Sequence, residues 1–248
     1  MSSLGDMLNK ALQTAPPAMG FRPTAPTKPH IVLIASLEEA PGEADGCLTG
    51  AEAVIFGVNI KSRELKSLVK TVSAPWGAWL SGTASKQTEP AGANFVVFEP
   101  DKTSLNIMSK DNLGKVMVIN PACENTALHG INDLPIEAVY VNRAAQETLT
   151  WLDLMQCRRL SDLIAKPLLV PVSSDTPQAQ LIALWEAGVD GIVVTATGDA
   201  VKKMRRELDV IDLPARRKWL RARPLVPVIT PSASSVQHDD DDDEEDDD

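Results

Sequence analysis

The chain has 248 residues, 44% of them hydrophobic, enough for one substantial core, and no run reaches the ~18 consecutive apolar residues of a membrane span. Its formal net charge of −10 sits at one end: Asp239 to Asp248 are ten consecutive carboxylates, and without them 24 acidic residues face 24 Lys+Arg. Such a run repels itself and buries nothing, so residues 231–248 are expected to be a disordered acidic tail on a neutral globule.

From the N-terminus, Leu4, Met7, Leu8, Ala11 and Leu12 recur at helical spacing, with none of the continuous apolar stretch of a signal peptide. An amphipathic helix is predicted over residues 2–14. The Pro-rich "APPAMGFRPTAPTKP" then links it to the first strand, which makes 1–27 a helix-plus-linker segment. Eight short apolar runs follow in two interleaved styles. "KPHIVLIAS" (28–36), "APWGAWLSG" (74–82), "GKVMVINP" (114–121) and "KPLLVPVS" (166–173) carry a Pro or Lys near the start. "GAEAVIFGV" (50–58), "GANFVVFEP" (92–100), "PIEAVYVN" (135–142) and "GVDGIVVTA" (188–196) open on a small residue followed by Glu, Asn or Asp.

Unbroken apolar runs are what parallel strands need when both faces are covered. Between them, 62–72, 150–166, 176–188 and 199–211 have helical periodicity. "DKTSLNIMSKDNLG" and "CENTALHGINDL" allow shorter helices, and the connections after the first and third runs are too short and Gly/Pro-broken for more than a turn or two. The fold expected is α/β: a compact (βα)8 barrel over 28–230 with one or two shortened helices and the N-terminal helix against its bottom or side. A doubly wound open sheet is the alternative, but it would normally carry a GxGxxG after the first strand, and none stands there.

"EAGVDGIVV", "AGANFVVFEP" and "LPIEAVYVN" resemble strand starts of phosphate- and flavin-binding (βα)8 barrels, where a helix ends in Ala-Gly-x-Asp before an apolar strand. The resemblance implies a site at the C-terminal ends of the strands. It also implies an anion held by the loops after strands seven and eight, and flavin mononucleotide (FMN) as a cofactor to consider.

Residues leaving the strands supply the candidates. Glu99 is the only acid directly at a strand end, and with Lys61 it is a catalytic candidate for moving a proton and engaging a carbonyl or carboxylate. Ser36, Asn120, Asn142 and Arg143 are candidate substrate contacts, the amides as neutral donor–acceptors and Arg143 as a bidentate clamp. Arg143 can equally pair with Glu147 at helical spacing. Ser173, Ser174, Thr195, Thr197 and Gly198 are candidate phosphate or cofactor contacts. The same positions also read as ordinary helix caps, and Asp199 would repel an anion there. Trp76 and Trp79 suit an aromatic pocket or the core.

With three scattered histidines (His30, His129, His238), no metal centre or His-based triad is expected. Cys47, Cys123 and Cys157 read as reduced thiols of a cytoplasmic protein. Two functional readings stay open. One is a metal-independent lyase or isomerase, or a flavin-dependent enzyme, acting on a small phosphorylated or carboxylated metabolite. The other is a non-catalytic barrel that binds a protein partner through its basic 202–223 stretch or its acidic tail. No membrane or nucleic-acid partner is expected.

Overall fold

A computed structural model describes residues 3–12, 30–39, 46–60, 62–80, 91–110, 112–145 and 148–214. The chain divides into two units, Met1–Arg217 and Lys218–Asp248, and the second lies outside the described residues, as do Lys61, Glu147 and the acidic tail.

All eight apolar runs are strands: β1 (Val32–Leu37), β2 (Ala53–Phe56), β3 (Trp76–Trp79), β4 (Phe95–Phe98), β5 (Gly114–Ile119), β6 (Ala138–Val141), β7 (Leu168–Pro171) and β8 (Gly191–Thr195). Each pairs in parallel with its sequence neighbours, and β8 closes on β1, so the sheet is a closed barrel. Both faces of every strand are covered. One set of side chains, including Leu33, Phe56, Met117, Val170 and Val194, packs outward beneath the helices. The alternating set, including Ile34, Ile55, Phe95, Val97, Val116 and Val193, fills the interior. Gly77 on β3 stands opposite Phe95, whose ring would lie 2.4 Å from any added Cβ, so this interior position admits no side chain.

The described helices follow the expected pattern, while the short connection expected after β3 and part of that after β1 lie outside the described residues. The described helices are α2 (Ser62–Thr71), α3 (Asn125–Gly130), α4 (Trp151–Leu163), α5 (Gln178–Glu186) and α6 (Ala200–Val210). Only a five-residue 3-10 turn, Leu105–Ser109, follows β4, and the described residues between β1 and β2 form turns. The preceding helix, α1 (Ser3–Leu12), takes the barrel-bottom position. Leu4, Leu8 and Ala11, spaced as one helical stripe, are buried in the same interior cluster as Val32, Phe95 and Val116.

The two interleaved styles of strand have a structural cause. At three of the four second-style strands, the polar residue before the strand ties down the start of the preceding one or the residue just ahead of it. Asn94 Oδ1 accepts the Trp76 N–H at 3.0 Å, and Asp190 Oδ2 accepts the Leu168 N–H at 2.7 Å. Glu52 meets His30, just ahead of β1, at 3.1 Å. The "Ala-Gly-x-Asp" pattern is therefore a helix stop plus a strand clamp. Gly188, at φ +100, takes the left-handed conformation that ends α5, and Asp190 fixes β7.

Candidate functional site

Alternation carries the interior face upward past the strand ends. From the C-terminal edge of the barrel, Ser36, Glu99, Asn120, Asn142, Ser173 and Thr195 continue the inward registers of Ile34, Val97, Val118, Tyr140, Pro171 and Val193. Residues scattered over 160 positions of chain (Ser36 to Thr195) thus meet on one rim.

The rim has two polar sides. On one, Ser36 is in direct register with Thr195, and Ser173 falls beside Thr195, two residues on from the Pro171–Val193 pair. Three half-buried hydroxyl residues therefore stand in a row across β7, β8 and β1. Beyond them, Gly198 at φ +51 leads into α6, with open space where a side chain would stand. Asp199 is the N-cap residue of α6 but makes no side-chain capping bond, and Lys202 of the first turn pairs with it at 3.2 Å. Thr197 is exposed and Ser174 half-buried; the Ser173 hydroxyl accepts the Asp175 N–H at 3.3 Å. Lys203 joins Asp175 across the two loops at 2.5 Å.

On the other side, Asn120 and Asn142 lie next to each other, since the Asn142 N–H reaches the Ile119 carbonyl at 2.8 Å. Asn120 Oδ1 accepts the Ala122 N–H at 2.9 Å and shapes the turn that follows. Arg159 of α4 fastens that loop, bonding Asn125, the Pro121 carbonyl and the Cys123 carbonyl.

The two charged candidates among the described residues, Glu99 and Arg143, behave differently. Glu99 is 40% exposed and forms an ion pair with Lys102, one turn on. Arg143 has its side chain only 6% exposed and faces the framework. Its Nη1 donates to the Pro171 carbonyl at 2.9 Å, Nη2 reaches the Thr148 carbonyl at 3.5 Å, and Nε stands 3.5 Å from Asp153. Pro171 explains this. Proline offers no N–H to continue the β6–β7 ladder, which is only two residue pairs long, and the Val141 carbonyl beside it accepts the Arg143 N–H at 3.0 Å instead. Arg143 thus repairs a gap between two strands with both backbone and side chain.

The floor beneath the rim joins Trp79, one of the two tryptophans the sequence offered for a pocket or the core, to Tyr140, which the sequence did not single out; Trp76 is buried in the outer core. Trp79 and Tyr140, both half-buried, meet edge-on across the barrel at 5.3 Å between ring centroids and 80° between planes. Burial, with a smaller contribution from the Glu38 carboxylate, pushes the Tyr140 phenol up to about 12. Glu38 is the first residue past β1 and is exposed. Period-two counting back from Asn142 and forward from Ser36 reaches Tyr140 and Glu38, and that was the signal available.

The described part of the basic stretch is largely neutralised internally. Lys202, Lys203 and Arg205 pair with Asp199, Asp175, Asp209 and Glu52, while Arg206 is exposed. A more apolar surface lies on α4, where Trp151, Leu152 and Met155 are exposed beside a groove of about 650 Å³. Among the described residues, no helix is long and apolar enough to cross a membrane.

No family model and no curated protein matches the chain. Solved structures do. A mutant tryptophan synthase alpha-subunit from the hyperthermophile Pyrococcus furiosus shares 15% identity over 72% of this chain and 96% of its own, with a TM-score of 0.52. A structure of the tryptophan synthase a2b2 complex from the same organism gives 14% identity, 73% and 97% coverage, and a TM-score of 0.53. At this identity the likeness establishes the (βα)8 fold.

Proposed function

We propose that the barrel mouth binds a small phosphorylated or carboxylated metabolite and acts on it as a metal-independent lyase or isomerase. The observation that carries this is the in-register hydroxyl row Ser173–Thr195–Ser36, next to the open backbone at Gly198 and the start of α6. Hydroxyls and N–H groups at a helix start are the donors an anion needs, and a glycine without neighbours lets it approach the backbone. Ser174 and Thr197 complete that side of the mouth, and the Asn120–Asn142 pair opposite orients the rest of the molecule. Glu99 supplies a rim carboxylate for proton transfer, and Lys61, outside the described residues, is retained as a candidate partner to it. The fold shared with tryptophan synthase alpha-subunits supports an enzymatic reading.

A flavin mononucleotide would place its phosphate on the same hydroxyls, and when bound it would supply redox chemistry. This chain's own part would be to hold that phosphate.

The test is thermal stability with inorganic phosphate and phosphorylated sugars. A ligand at 100 times its Kd adds about 2.7 kcal/mol. The wild type should be protected, and the Ser173→Ala/Thr195→Val double variant should lose most of that protection. A wild type that no phosphate compound stabilises would refute the reading.

A further inference from the structure

Tyr140 and Glu38 belong to none of the roles assigned above, yet both stand at the mouth. Tyr140 occupies the inward register of β6 directly below Asn142, with its ring held edge-on by Trp79 and its side chain reached from above. Glu38 continues the inward register of β1 beyond Ser36 and is exposed. Burial first, and the Glu38 carboxylate second, raise the proton affinity of the Tyr140 phenol. The other described carboxylate of the rim, Glu99, is tied to Lys102, and the Arg143 guanidinium is turned into the strand framework. Among the described residues, this leaves Tyr140 as a neutral O–H donor and Glu38 as a carboxylate on the inward registers at the mouth.

We propose that Tyr140 and Glu38, in place of the Lys102-paired Glu99, are the proton-handling pair of this site, acting on a substrate that carries a carbonyl next to a C–H bond. The Tyr140 hydroxyl donates a hydrogen bond to the carbonyl oxygen. The Glu38 carboxylate takes the proton from the adjacent carbon, the C–H electron pair becomes the new C=C bond, and the carbonyl π pair moves onto the oxygen. Returning the proton to the same carbon restores the original carbonyl; where that carbon carries a hydroxyl, moving the hydroxyl proton to the other oxygen and returning the abstracted proton to the neighbouring carbon gives the isomeric carbonyl, and neither route needs an oxidant or co-reactant. A phenol that stays protonated through the neutral and mildly alkaline range is the donor this role requires. The inference rests on the anion-binding reading only for the anchoring of the substrate.

The chain contains one tyrosine, which gives the pair a direct reporter. Uniform 3-fluorotyrosine labelling places a single 19F probe at Tyr140, and its lower intrinsic pKa brings the titration below alkaline unfolding. Glu38→Gln should move the 19F midpoint downward. In D2O, the wild type should exchange the C–H protons of dihydroxyacetone phosphate, a simple enolisable phosphorylated ketone. That exchange, followed by proton NMR, should fall about a hundredfold in Tyr140→Phe and in Glu38→Gln. Protection of both variants by inorganic phosphate should be unchanged. An unmoved midpoint in Glu38→Gln, no exchange by the wild type, or exchange indifferent to both substitutions overturns the pair. If phosphate protection persists in that case, the anion site stands without it; if protection is absent while exchange is present, the pair stands and the anion site falls.

Discussion

Leu8→Ala tests whether α1 seals the barrel. Leu8 is fully buried in the interior cluster, with Leu4 one turn before and Ala11 one turn after. A buried Leu→Ala change costs about 2–5 kcal/mol, the transfer free energy plus the cavity left behind. Here the cost has a ceiling. α1 is held through one stripe, and burying its two leucines contributes about 3–6 kcal/mol before the ordering of the helix is subtracted. Once α1 undocks, further truncation of its stripe costs nothing more. Leu8→Ala should therefore lose about 3 kcal/mol in urea titrations and lower Tm by about 6–12 °C, at about 2–4 °C per kcal/mol for a domain of this size. The Leu4→Ala/Leu8→Ala double should lose less than the sum of the singles. Undocking uncovers the floor around Val32, Phe95 and Val116, so the variants should also bind a hydrophobic dye. A loss below about 1 kcal/mol for Leu8→Ala with no dye binding would show that the helix does not close the barrel.

Three further outcomes follow from single contacts. Arg143→Ala should cost about 2–3 kcal/mol by stripping charge-assisted donors from the Pro171 and Thr148 carbonyls, while leaving phosphate protection intact; lost protection at unchanged stability would make Arg143 a ligand clamp instead. Gly77→Ala puts a methyl 2.4 Å from the Phe95 ring and 2.6 Å from its carbonyl oxygen, so it should cost about 1–3 kcal/mol or more, and a neutral result in urea denaturation would mean the interior has slack there. Burial, reinforced by Asp153, raises the Cys157 thiol from 9.0 to about 12, and burial raises Tyr140 from 10.0 to about 12. Both groups bind their protons more tightly when folded. Their contribution is therefore complete below pH 9 and is lost as pH climbs from 9 towards 12, at about 1.4 kcal/mol for each tenfold difference in proton affinity between the folded and unfolded chain. Urea midpoints should fall across that window, and Cys157→Ala should flatten the fall between pH 9 and 10.

The barrel was legible because parallel strands buried on both faces leave unbroken apolar runs, and those runs punctuate this chain eight times. The reduced element after β4 was legible for the converse reason: "DKTSLNIMSKDNLG" carries no apolar stripe long enough to cover the sheet, and only a 3-10 turn forms there. The alternation between two strand styles was visible, but its cause was not. That Asn94 and Asp190 each hold the N–H at the start of the preceding strand depends on strands paired in space, where positions roughly twenty residues apart come within hydrogen-bonding reach.

The site divides along the same line. Which end of the barrel gathers the polar residues follows from strand direction, so Ser36, Glu99, Asn120, Asn142, Ser173 and Thr195 could be placed on one rim from the sequence. What each side chain does there depends on neighbours that no spacing reveals. Arg143 at the end of β6 reads as an anion clamp until Pro171, on the adjacent strand, is seen to withhold the N–H that β6 needs. The arginine then has a nearer demand than any ligand: two carbonyls and Asp153 around the break. Removing a positive charge from the mouth in this way shifts the balance of the site. In the proposed site the anion would then be met by neutral hydroxyls and backbone, and the proton chemistry by a carboxylate and a phenol rather than by a carboxylate and a guanidinium.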